Sequence, residues 1–172
     1  MQYLKVPDDS ISFFEKETLS SLSEETGAEI QFNKKDQNIQ VEHAESVKEI
    51  DVLEVLKAIF MGFDYTNAMK LFRNPMTRLE VINIKDKTRN YKEFRRQKGR
   101  VIGENGKAKR VMSDLTDASI EVYNDKVGIV GEINDAIKAR EAVMKILNGS
   151  PHSHVYNSLE KYKRKKNRRK LM

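Results

Sequence analysis

The chain carries the same order of predicted elements twice, and this internal repeat limits its fold more than any other feature. The first copy covers about residues 3–62 and the second about residues 79–149. A Thr-x-Ala-x-Ile stretch holds the same place in each, at residues 26–30 and 116–120, and both copies end in Ile-x-x-Gly. A repeat defines an architecture where a single motif does not. The sequence of 172 residues therefore predicts two small domains of one topology.

In the first copy, a short strand at residues 3–6 precedes a helix over residues 11–25, which Asp8, Asp9 and Ser10 can cap. Alternating apolar residues then predict a hairpin, in which Ile30 and Phe32 face Ile39 and Val41 across a polar turn. Apolar residues at three- and four-residue steps predict a closing helix with an inward stripe. The residues of this stripe are Val47, Ile50, Leu53, Leu56, Ile59, Phe60 and Phe63.

The second copy opens with a strand at residues 79–84 and a basic helix at residues 91–100. A glycine loop and a second helix follow, and then a hairpin in which Ile120 and Val122 pair with Val127 and Ile129 around residues 124–126. The spacing of the remaining residues predicts a closing helix. Its marker residues are Ile133, Ile137, Arg140, Val143, Met144 and Leu147.

Strands and helices in this order predict an α+β fold, with a three-stranded antiparallel sheet packed against helices in each copy. We predict the first domain at residues 1–63 and the second at residues 79–149. Residues 64–78 are predicted to be a packed helical connector, which Asn74-Pro75 ends. Residues 150–172 are predicted to be a C-terminal extension with a basic tail.

Charge is divided unevenly along the chain. Residues 1–62 carry 6 Lys and Arg against 13 Asp and Glu, a net charge of −7, and residues 63–172 carry 26 against 13, a net charge of +13. The attraction for a polyanion therefore lies in the second part of the chain. We expect the two parts to have different partners.

Several classes of function are excluded or disfavoured by the sequence. The absence of cysteine excludes disulfides, thiolate zinc sites and a cysteine nucleophile. No apolar run approaches the roughly 20 residues that span a bilayer, so we expect a soluble, cytoplasmic protein without a membrane contact. The carboxylates resemble solvated helix faces, and we expect no enzyme, no cofactor and no metal site. We interpret His152-Ser153-His154 as a loop after the last helix.

A Gly-x-x-Gly loop stands between the two helices of the second copy. Two glycines at this spacing let the backbone approach a sugar-phosphate chain, and the next helix directs its free N–H groups at the phosphates. Gly103 and Gly106 are expected to give this access, and Asn105 and Lys107 to contact phosphate. The loop therefore predicts a clamp for single-stranded RNA.

The surroundings of the loop support this prediction. Val101 and Ile102 are predicted to form part of an apolar floor, and the strand with Ile120 and Val122 to meet the base edges. Glu104 places one like charge in the loop. Residues 91–110 carry 8 Lys and Arg against 2 Asp and Glu, which outweighs it. The predicted cationic contacts beside Lys107 are Arg95, Arg96, Lys98, Arg100, Lys109 and Arg110.

The element order with Gly-x-x-Gly between the first two helices resembles the type I KH domain over residues 79–149. The whole chain resembles the partner-of-Nob family of small-subunit ribosome assembly proteins in its short, archaeal tandem-KH form, and the Krr-type assembly factor is a close relative. Four segments carry this resemblance. They are Val6-Pro7, residues 58–63 with the helix through Phe72, residues 99–103 with 106–109, and residues 149–156.

The resemblance implies a binding factor that grips single-stranded sequence near the 3′ end of the small-subunit rRNA during ribosome maturation. The implied partners are that pre-rRNA, a Nob-type PIN-domain endonuclease and, in archaea, the alpha subunit of translation initiation factor two. It also implies a degenerate first KH domain, in agreement with the lack of a glycine pair between Ile11 and Gly27.

Two alternatives stay open from the residues. In the first, the protein is a protein–protein adaptor that uses the acidic first domain and has a vestigial clamp, for which Glu104 is the best evidence. The second concerns the basic tail, which is either an arm on RNA phosphates or a solvated, disordered end. Its cations are Lys161, Lys163, Arg164, Lys165, Lys166, Arg168, Arg169 and Lys170.

Overall fold

The computed structural model of the protein describes residues 1–7 and 16–172. These residues form two units, Met1–Pro75 and Met76–Met172, which are called the first and the second unit. The predicted cap at Asp8, Asp9 and Ser10 and the predicted start of the following helix lie outside the described residues. Each unit contains a three-stranded antiparallel sheet and helices, so the predicted α+β class is confirmed.

The first unit builds its sheet in the order β1-β3-β2. The predicted hairpin is confirmed, and in it Ile30 lies opposite Val41 and Phe32 lies opposite Ile39. The elements are β1 (Gln2–Lys5), α1 (Lys16–Thr26), β2 (Glu29–Asn33), β3 (Asn38–Glu42), α2 (Ser46–Phe60) and α3 (Tyr65–Arg73).

A hydrogen-bonded corner joins α1 to β2. Thr26 Oγ1 donates to the carbonyl oxygen of Leu22 at 2.6 Å and accepts from the Ala28 N–H at 3.3 Å. Gly27, between them, has a φ of +71°. In the Thr-x-Ala motif, the chain therefore turns from helix to strand while the threonine hydroxyl bonds to backbone groups on both sides of the turn.

The predicted inward stripe of α2 is wrong at its start. Val47 and Ile50 are 72% and 55% exposed, whereas Val52 and Val55, which the prediction left out, are fully buried. The helix contacts β1, β3 and α3. Because neighbours lie on more than one side, the buried arc is wider than one stripe, and the first apolar residues point away from it.

Helix α3 is bonded to α1 within the first unit. The Asp64 carboxylate caps α3 by accepting from the Asn67 N–H at 2.9 Å. Arg73 forms an ion pair with Glu25, and the Tyr65 hydroxyl donates to the same carboxylate at 3.1 Å. Burial, with the hydrogen bond to Glu25, raises the pKa of Tyr65 to about 12, so this donor stays protonated at neutral pH.

The second unit builds its sheet in the order β4-β6-β5. Ile120 lies opposite Ile129 and Val122 lies opposite Val127, as predicted. The elements are β4 (Thr77–Asn83), α4 (Tyr91–Ile102), α5 (Lys107–Thr116), β5 (Ser119–Tyr123), β6 (Lys126–Glu132), α6 (Ile133–Leu147) and α7 (His152–Lys170).

The corner between α5 and β5 has the same bonds as the corner of the first unit. Thr116 Oγ1 donates to the Met112 carbonyl oxygen at 2.7 Å and accepts from the Ala118 N–H at 3.3 Å. Asp117 has a φ of +62°. The Thr-x-Ala repeat in the sequence is therefore a repeat of local structure.

The predicted closing helix is present as α6, although not every residue that marks it is buried, since Ile137 is 41% exposed. The buried side is formed by small residues, among them Ala136 and Ala139, which are fully buried. β6 is close to α6 as well as to the corner at Ala118, because a Cβ on Gly131 would lie 3.6 Å from the Ala136 nitrogen and 2.8 Å from the Ala118 Cβ. Close packing selects small side chains, which a search for large apolar residues passes over.

The interpretation of residues 152–154 as a loop is wrong, because α7 begins at His152. Val155 and Leu159 of this helix are 1% exposed and lie in the same core cluster as Met112 of α5. Helix α7 is therefore part of the second unit, and its burial, rather than its charged sequence, accounts for its order.

Candidate nucleic-acid interface

The candidate loop is held by close packing at its first glycine. Helix α4 continues through Ile102, so the loop begins at Gly103, whose φ is +75° and whose N–H donates to the Gly99 carbonyl oxygen at 2.8 Å. A Cβ on Gly103 would lie 2.5 Å from the Ala108 nitrogen. A side chain at this position clashes with the first turn of α5, so only glycine fits.

The rest of the loop is open. A 3₁₀ turn covers Glu104–Gly106, with Asn105 in the left-handed region at a φ of +50°. The side chains of Glu104, Asn105 and Lys107 are exposed. A Cβ on Gly106 would have no heavy atom within 4 Å. The loop therefore presents backbone and short polar side chains to solvent directly before the N-terminus of α5.

Three of the predicted phosphate contacts are available for a ligand. Lys107, Arg110 and Arg95 are exposed and have neither a hydrogen bond nor an ion-pair partner among the described residues. Arg96 makes a long contact of 3.9 Å with Glu93. Lys98 is half-buried, with its Nζ 6.0 Å from the centre of the Phe94 ring.

Arg100 has a different environment. Its guanidinium donates to the carbonyl oxygens of Ile146 at 2.7 Å and Ser150 at 2.5 Å. Its own carbonyl oxygen accepts from His152 Nε2 at 2.7 Å. The residue therefore ties the end of α4 to the end of α6 and the start of α7. Sequence reasoning missed this role, because the three partners lie 46 to 52 positions away.

Lys109 is also engaged. Its Nζ lies 2.7 Å from Oε2 of Glu121, and both side chains are about one-third exposed. The pair connects α5 to β5. A charged bridge therefore joins the helix that follows the glycine loop to the next strand.

The predicted apolar floor is divided between core and surface. Val101 and Ile120 are 0% and 2% exposed. Ile102 and Val122 are half-buried. The first pair therefore shapes the floor from below, and only the second pair offers apolar surface to a base.

A family model described as the eukaryotic type KH domain, KH-domain type I, and built on the second KH domain of PNO1, matches residues 78–164, half of the chain. The chain belongs to the PNO1/Dim2 family. The matched segment contains α4, the Gly-x-x-Gly loop, α5 and the first two-thirds of α7. The resemblance to the partner-of-Nob family and the KH fold of the second unit are thereby confirmed.

Curated relatives agree with this family. A KH domain-containing protein of Methanocaldococcus jannaschii is 40% identical over 112 residues, which cover 65% of this chain and 49% of the relative. The pre-rRNA-processing protein PNO1 of Debaryomyces hansenii is 35% identical over 107 residues, 62% of this chain and 42% of the relative. The chain thus spans about half the length of the curated relatives it matches.

Solved structures of archaeal proteins are similar over nearly the whole chain. A protein of unknown function from Aeropyrum pernix has a TM-score of 0.89 and 29% identity, and covers 99% of this chain and 94% of its own. Dim2p in a complex of a/eIF2alpha, aDim2p and rRNA from Pyrococcus horikoshii has a TM-score of 0.85 and 27% identity, with 95% and 94% covered. The KH domain of this PNO1/Dim2 member is therefore close in fold to that of a protein crystallised with rRNA.

Metal sites and membrane spans are not found in the described part of the chain. Within residues 1–7 and 16–172, no three His, Asp or Glu side chains are grouped so that they could hold a metal ion. Over the same residues, no helix is both long and apolar enough to cross a membrane.

Proposed function

We propose that the protein binds single-stranded RNA with the KH domain of the second unit and acts in maturation of the small ribosomal subunit, at the 3′ end of its pre-rRNA. The observation that carries this proposal is the loop itself. Gly103 packs against α5 so that the loop exposes backbone, and the adjacent Lys107 and Arg110 are unpaired among the described residues. Exposed amides at a helix N-terminus with free cations form a phosphate site.

The residues of the site then have distinct roles. Gly103 and Gly106 give the RNA backbone access, and Asn105 contacts phosphate between them. The bases lie over Ile102 and Val122, and Lys109 with Glu121 borders them. The further phosphate contacts are Arg95, Arg96, Lys98, Lys107 and Arg110. Arg100, Val101 and Ile120 do not contact the RNA in this proposal, but hold the helix and strand that do.

The first unit is proposed to be a degenerate KH domain that makes no clamp. Its sheet order and its Thr26 corner match those of the second unit. Its sequence has no glycine between Val6 and Thr26, and residues 1–62 have a net charge of −7, which repels phosphate. In this proposal the chain has two tandem KH domains, and only the second binds RNA.

Partners follow from the family rather than from the geometry. A Nob-type PIN-domain endonuclease and the alpha subunit of archaeal initiation factor two are proposed to act with this protein on the pre-rRNA. The solved complex of a/eIF2alpha, aDim2p and rRNA supports the second of these. The protein itself is proposed to be a binding factor and not an enzyme.

A second candidate function is the protein–protein adaptor. Two observations favour it: Glu104 is exposed in the middle of the loop, and the first unit is acidic. An adaptor requires no RNA affinity, so one binding experiment separates the two functions.

The test is binding of a short single-stranded RNA with the sequence of the 3′ end of the small-subunit rRNA, over a salt series. The loop variant carries Asn105→Asp and Lys107→Glu, because both side chains are exposed and neither change fills the space beside Gly103. The control carries Gln2→Glu and Lys34→Glu, which change the net charge equally at exposed positions of the first unit. We expect the loop variant to lose at least tenfold in affinity and the control to bind like wild type.

The slope of log affinity against log salt adds a second readout. Each lost phosphate contact makes the slope shallower by about 0.7 for a single strand. Equal affinities of wild type and loop variant contradict the proposed site. No binding by wild type contradicts RNA binding in the cleft and supports the adaptor.

A further inference from the structure

Seven of the eight Lys and Arg residues of α7 fall into two sets with different environments. The inner set is Lys163 and Lys166. Lys163 donates to the Asp114 carbonyl oxygen, and Lys166 Nζ lies 2.8 Å from the Asp117 carboxylate and 2.7 Å from that of Asp135. Burial opposes the charge of Lys166, but the hydrogen bonds to the two carboxylates outweigh it and raise its pKa. The inner set therefore fastens α7 to α5 and α6.

Further contacts fix the rotation of α7 about its axis. Val155 and Leu159 are buried in the core. The Tyr162 hydroxyl donates to Asp135 at 2.7 Å, and Asp135 is itself 4% exposed. These inner residues recur along one side of the helix. The opposite side is therefore held in a defined direction, unlike that of a free tail.

The outer set lies on that opposite side. It follows the spacing i, i+3, i+4, i+7, i+8, which places its members on one face of a helix. All are exposed, and within the described part of the chain only Arg164 has an ion-pair partner, Glu160 at 3.4 Å. This outer face consists of Lys161, Arg164, Lys165, Arg168 and Arg169.

A groove beside the outer face adds to the positive potential. It has a volume of about 460 Å³ and runs between α7 and the start of α6. The lining contains four cations and two carboxylates, and one carboxylate, Asp135, is already bonded to Lys166. Space for a phosphate therefore adjoins the exposed cations.

We infer that the outer face of α7 is a second RNA contact, which binds the sugar-phosphate backbone outside the KH cleft and does not read bases. The inference rests on the proposed function for the presence of RNA. Five cations held on one face attract a polyanion. The face contains no Phe, Tyr or Trp on which a base could stack. A membrane surface is a poorer occupant, because the apolar residues Val155 and Leu159 are buried in the domain.

The second contact is distinct from the glycine loop. The loop precedes the first residue of α5, whereas Lys163 and Lys166 are bonded near its last turn, at Asp114 and Asp117. Ten residues of helix separate these ends by about 15 Å. A KH loop clamps about four nucleotides. We expect an RNA of about four nucleotides, which the loop clamps, to be held by the cleft alone, and a longer one to contact the outer face as well.

The experiment measures two RNAs against one variant. The outer-face variant replaces Lys161, Arg164, Lys165 and Arg168 by Gln, and the control replaces Lys5, Lys34, Lys35 and Lys57 of the first unit, all exposed, by Gln. Both lose four positive charges. With the short 3′-end RNA, both bind like wild type. With a longer single strand that contains it, the outer-face variant loses tenfold or more, and its salt slope falls by up to about 3.

Each outcome separates this inference from the proposed function. If the outer-face variant binds the longer RNA like the control, the inference is overturned, and an acidic protein surface becomes the occupant to test. If the loop variant binds both RNAs like wild type and the outer-face variant does not bind the longer one, the cleft proposal fails and the inference holds. If wild type binds neither RNA, both fail. Circular dichroism and the thermal midpoint show that each variant is folded.

Discussion

The two units share a sheet but differ in the segment that leads to their common corner. Twenty-one positions separate the end of β1 from Thr26, and 33 separate the end of β4 from Thr116. The strand ends correspond, since Lys5 lies opposite Asn38 and Asn83 opposite Lys126 beside each hairpin turn. The difference of 12 positions equals the length of α4, which leads to the glycine loop. The two units therefore share a sheet and a corner, and the longer interval in the second unit contains the candidate loop.

The ends of the two copies also share a local motif, followed by helices that differ. In Ile-x-x-Gly, the N–H of Gly62 donates to Ile59 and that of Gly149 to Ile146, both at 3.0 Å, with φ values of +90° and +96°. Structure common to both units is thus set by short local motifs. The next helix differs in how much positive charge it carries, because α3 in the first unit has two cations and no carboxylate, whereas α7 in the second has eight cations and one carboxylate.

The largest expected effect comes from filling the loop of the second unit. Gly103→Ala combines a backbone at φ +75° and ψ 172°, which only glycine adopts readily and which costs about 1–3 kcal/mol, with a clash against α5, which costs about 1–3 kcal/mol. Gly27→Ala in the first unit meets no atom closer than 3.7 Å and should cost only about 1 kcal/mol. Denaturant unfolding, followed with hydrogen exchange to separate the units, measures both.

Gly106→Ala is the control in the same loop, because its φ is also +75°, with a ψ of 13° in the left-handed region, and the space around the new Cβ is open. It should cost about 1 kcal/mol. If Gly103→Ala destabilises the second unit no more than Gly106→Ala, the close approach of the loop to α5 is not what holds the clamp.

A smaller effect is expected from giving β5 of the second unit the residue that β2 of the first unit has at the same position. Glu121 pairs with Gly128 at the position that Gln31 occupies in β2. Glu121→Gln removes a carboxylate from the border of the cleft and releases Lys109. We expect RNA affinity to rise about twofold to fivefold, within the range of a single exposed charge contact.

Filter binding or fluorescence anisotropy at low salt measures this change, and the gain should shrink as salt rises. Glu141→Gln, at an exposed position of α6 where it releases Lys138 from an ion pair, controls for net charge. A fall in affinity with Glu121→Gln would show that the carboxylate contacts the RNA rather than restraining Lys109.

The smallest effect concerns the corner residue that differs between the units, Asp117 in the second and Gly27 in the first. The hydrogen bond from Lys166, opposed by burial, lowers the pKa of Asp117 in the folded state. Its stabilising contribution is therefore present above the unfolded pKa of about 3.9 and is lost as the pH falls through the lowered folded value. Asp117→Gly relieves the left-handed backbone but removes this link.

We expect wild type to exceed Asp117→Gly by a few tenths of a kcal/mol at neutral pH, within the range of exposed ion pairs. The margin should shrink or reverse below about pH 4. Thermal unfolding from about pH 7 to about pH 2 measures it. A margin that is independent of pH would show that the carboxylate of Asp117 does not hold α7.

Much of the fold was predictable from local pattern, whereas the helix faces were not. Ile30, Phe32, Ile120 and Val122 alternate with polar residues, and alternation fixes both the strand and its register. In α6, by contrast, the buried side depends on which neighbour approaches closely, and alanine carries little hydrophobic signal. Periodicity identified this helix but not the small residues on its buried side.

In the candidate site too, local features were predictable from the sequence and contacts between distant residues were not. The glycine loop and its exposed cations were identified from sequence, because glycine spacing and charge are local properties. The use of Arg100 to bind two carbonyl groups, the Lys109–Glu121 bridge and the burial of Val101 were not. Each depends on a partner distant in the chain.

By itself, the sequence determined the repeat, the strand registers, the corner motifs and the position of the loop, since each follows from backbone preferences and side-chain alternation over a few residues. Only the tertiary structure decided which cations are free. Lys163 and Lys166 are bonded to Asp114, Asp117 and Asp135, whereas the outer face of α7 stays open to solvent. The physical reason is that a charge is available to a ligand only when no folded neighbour neutralises it, and that neighbour is set by packing.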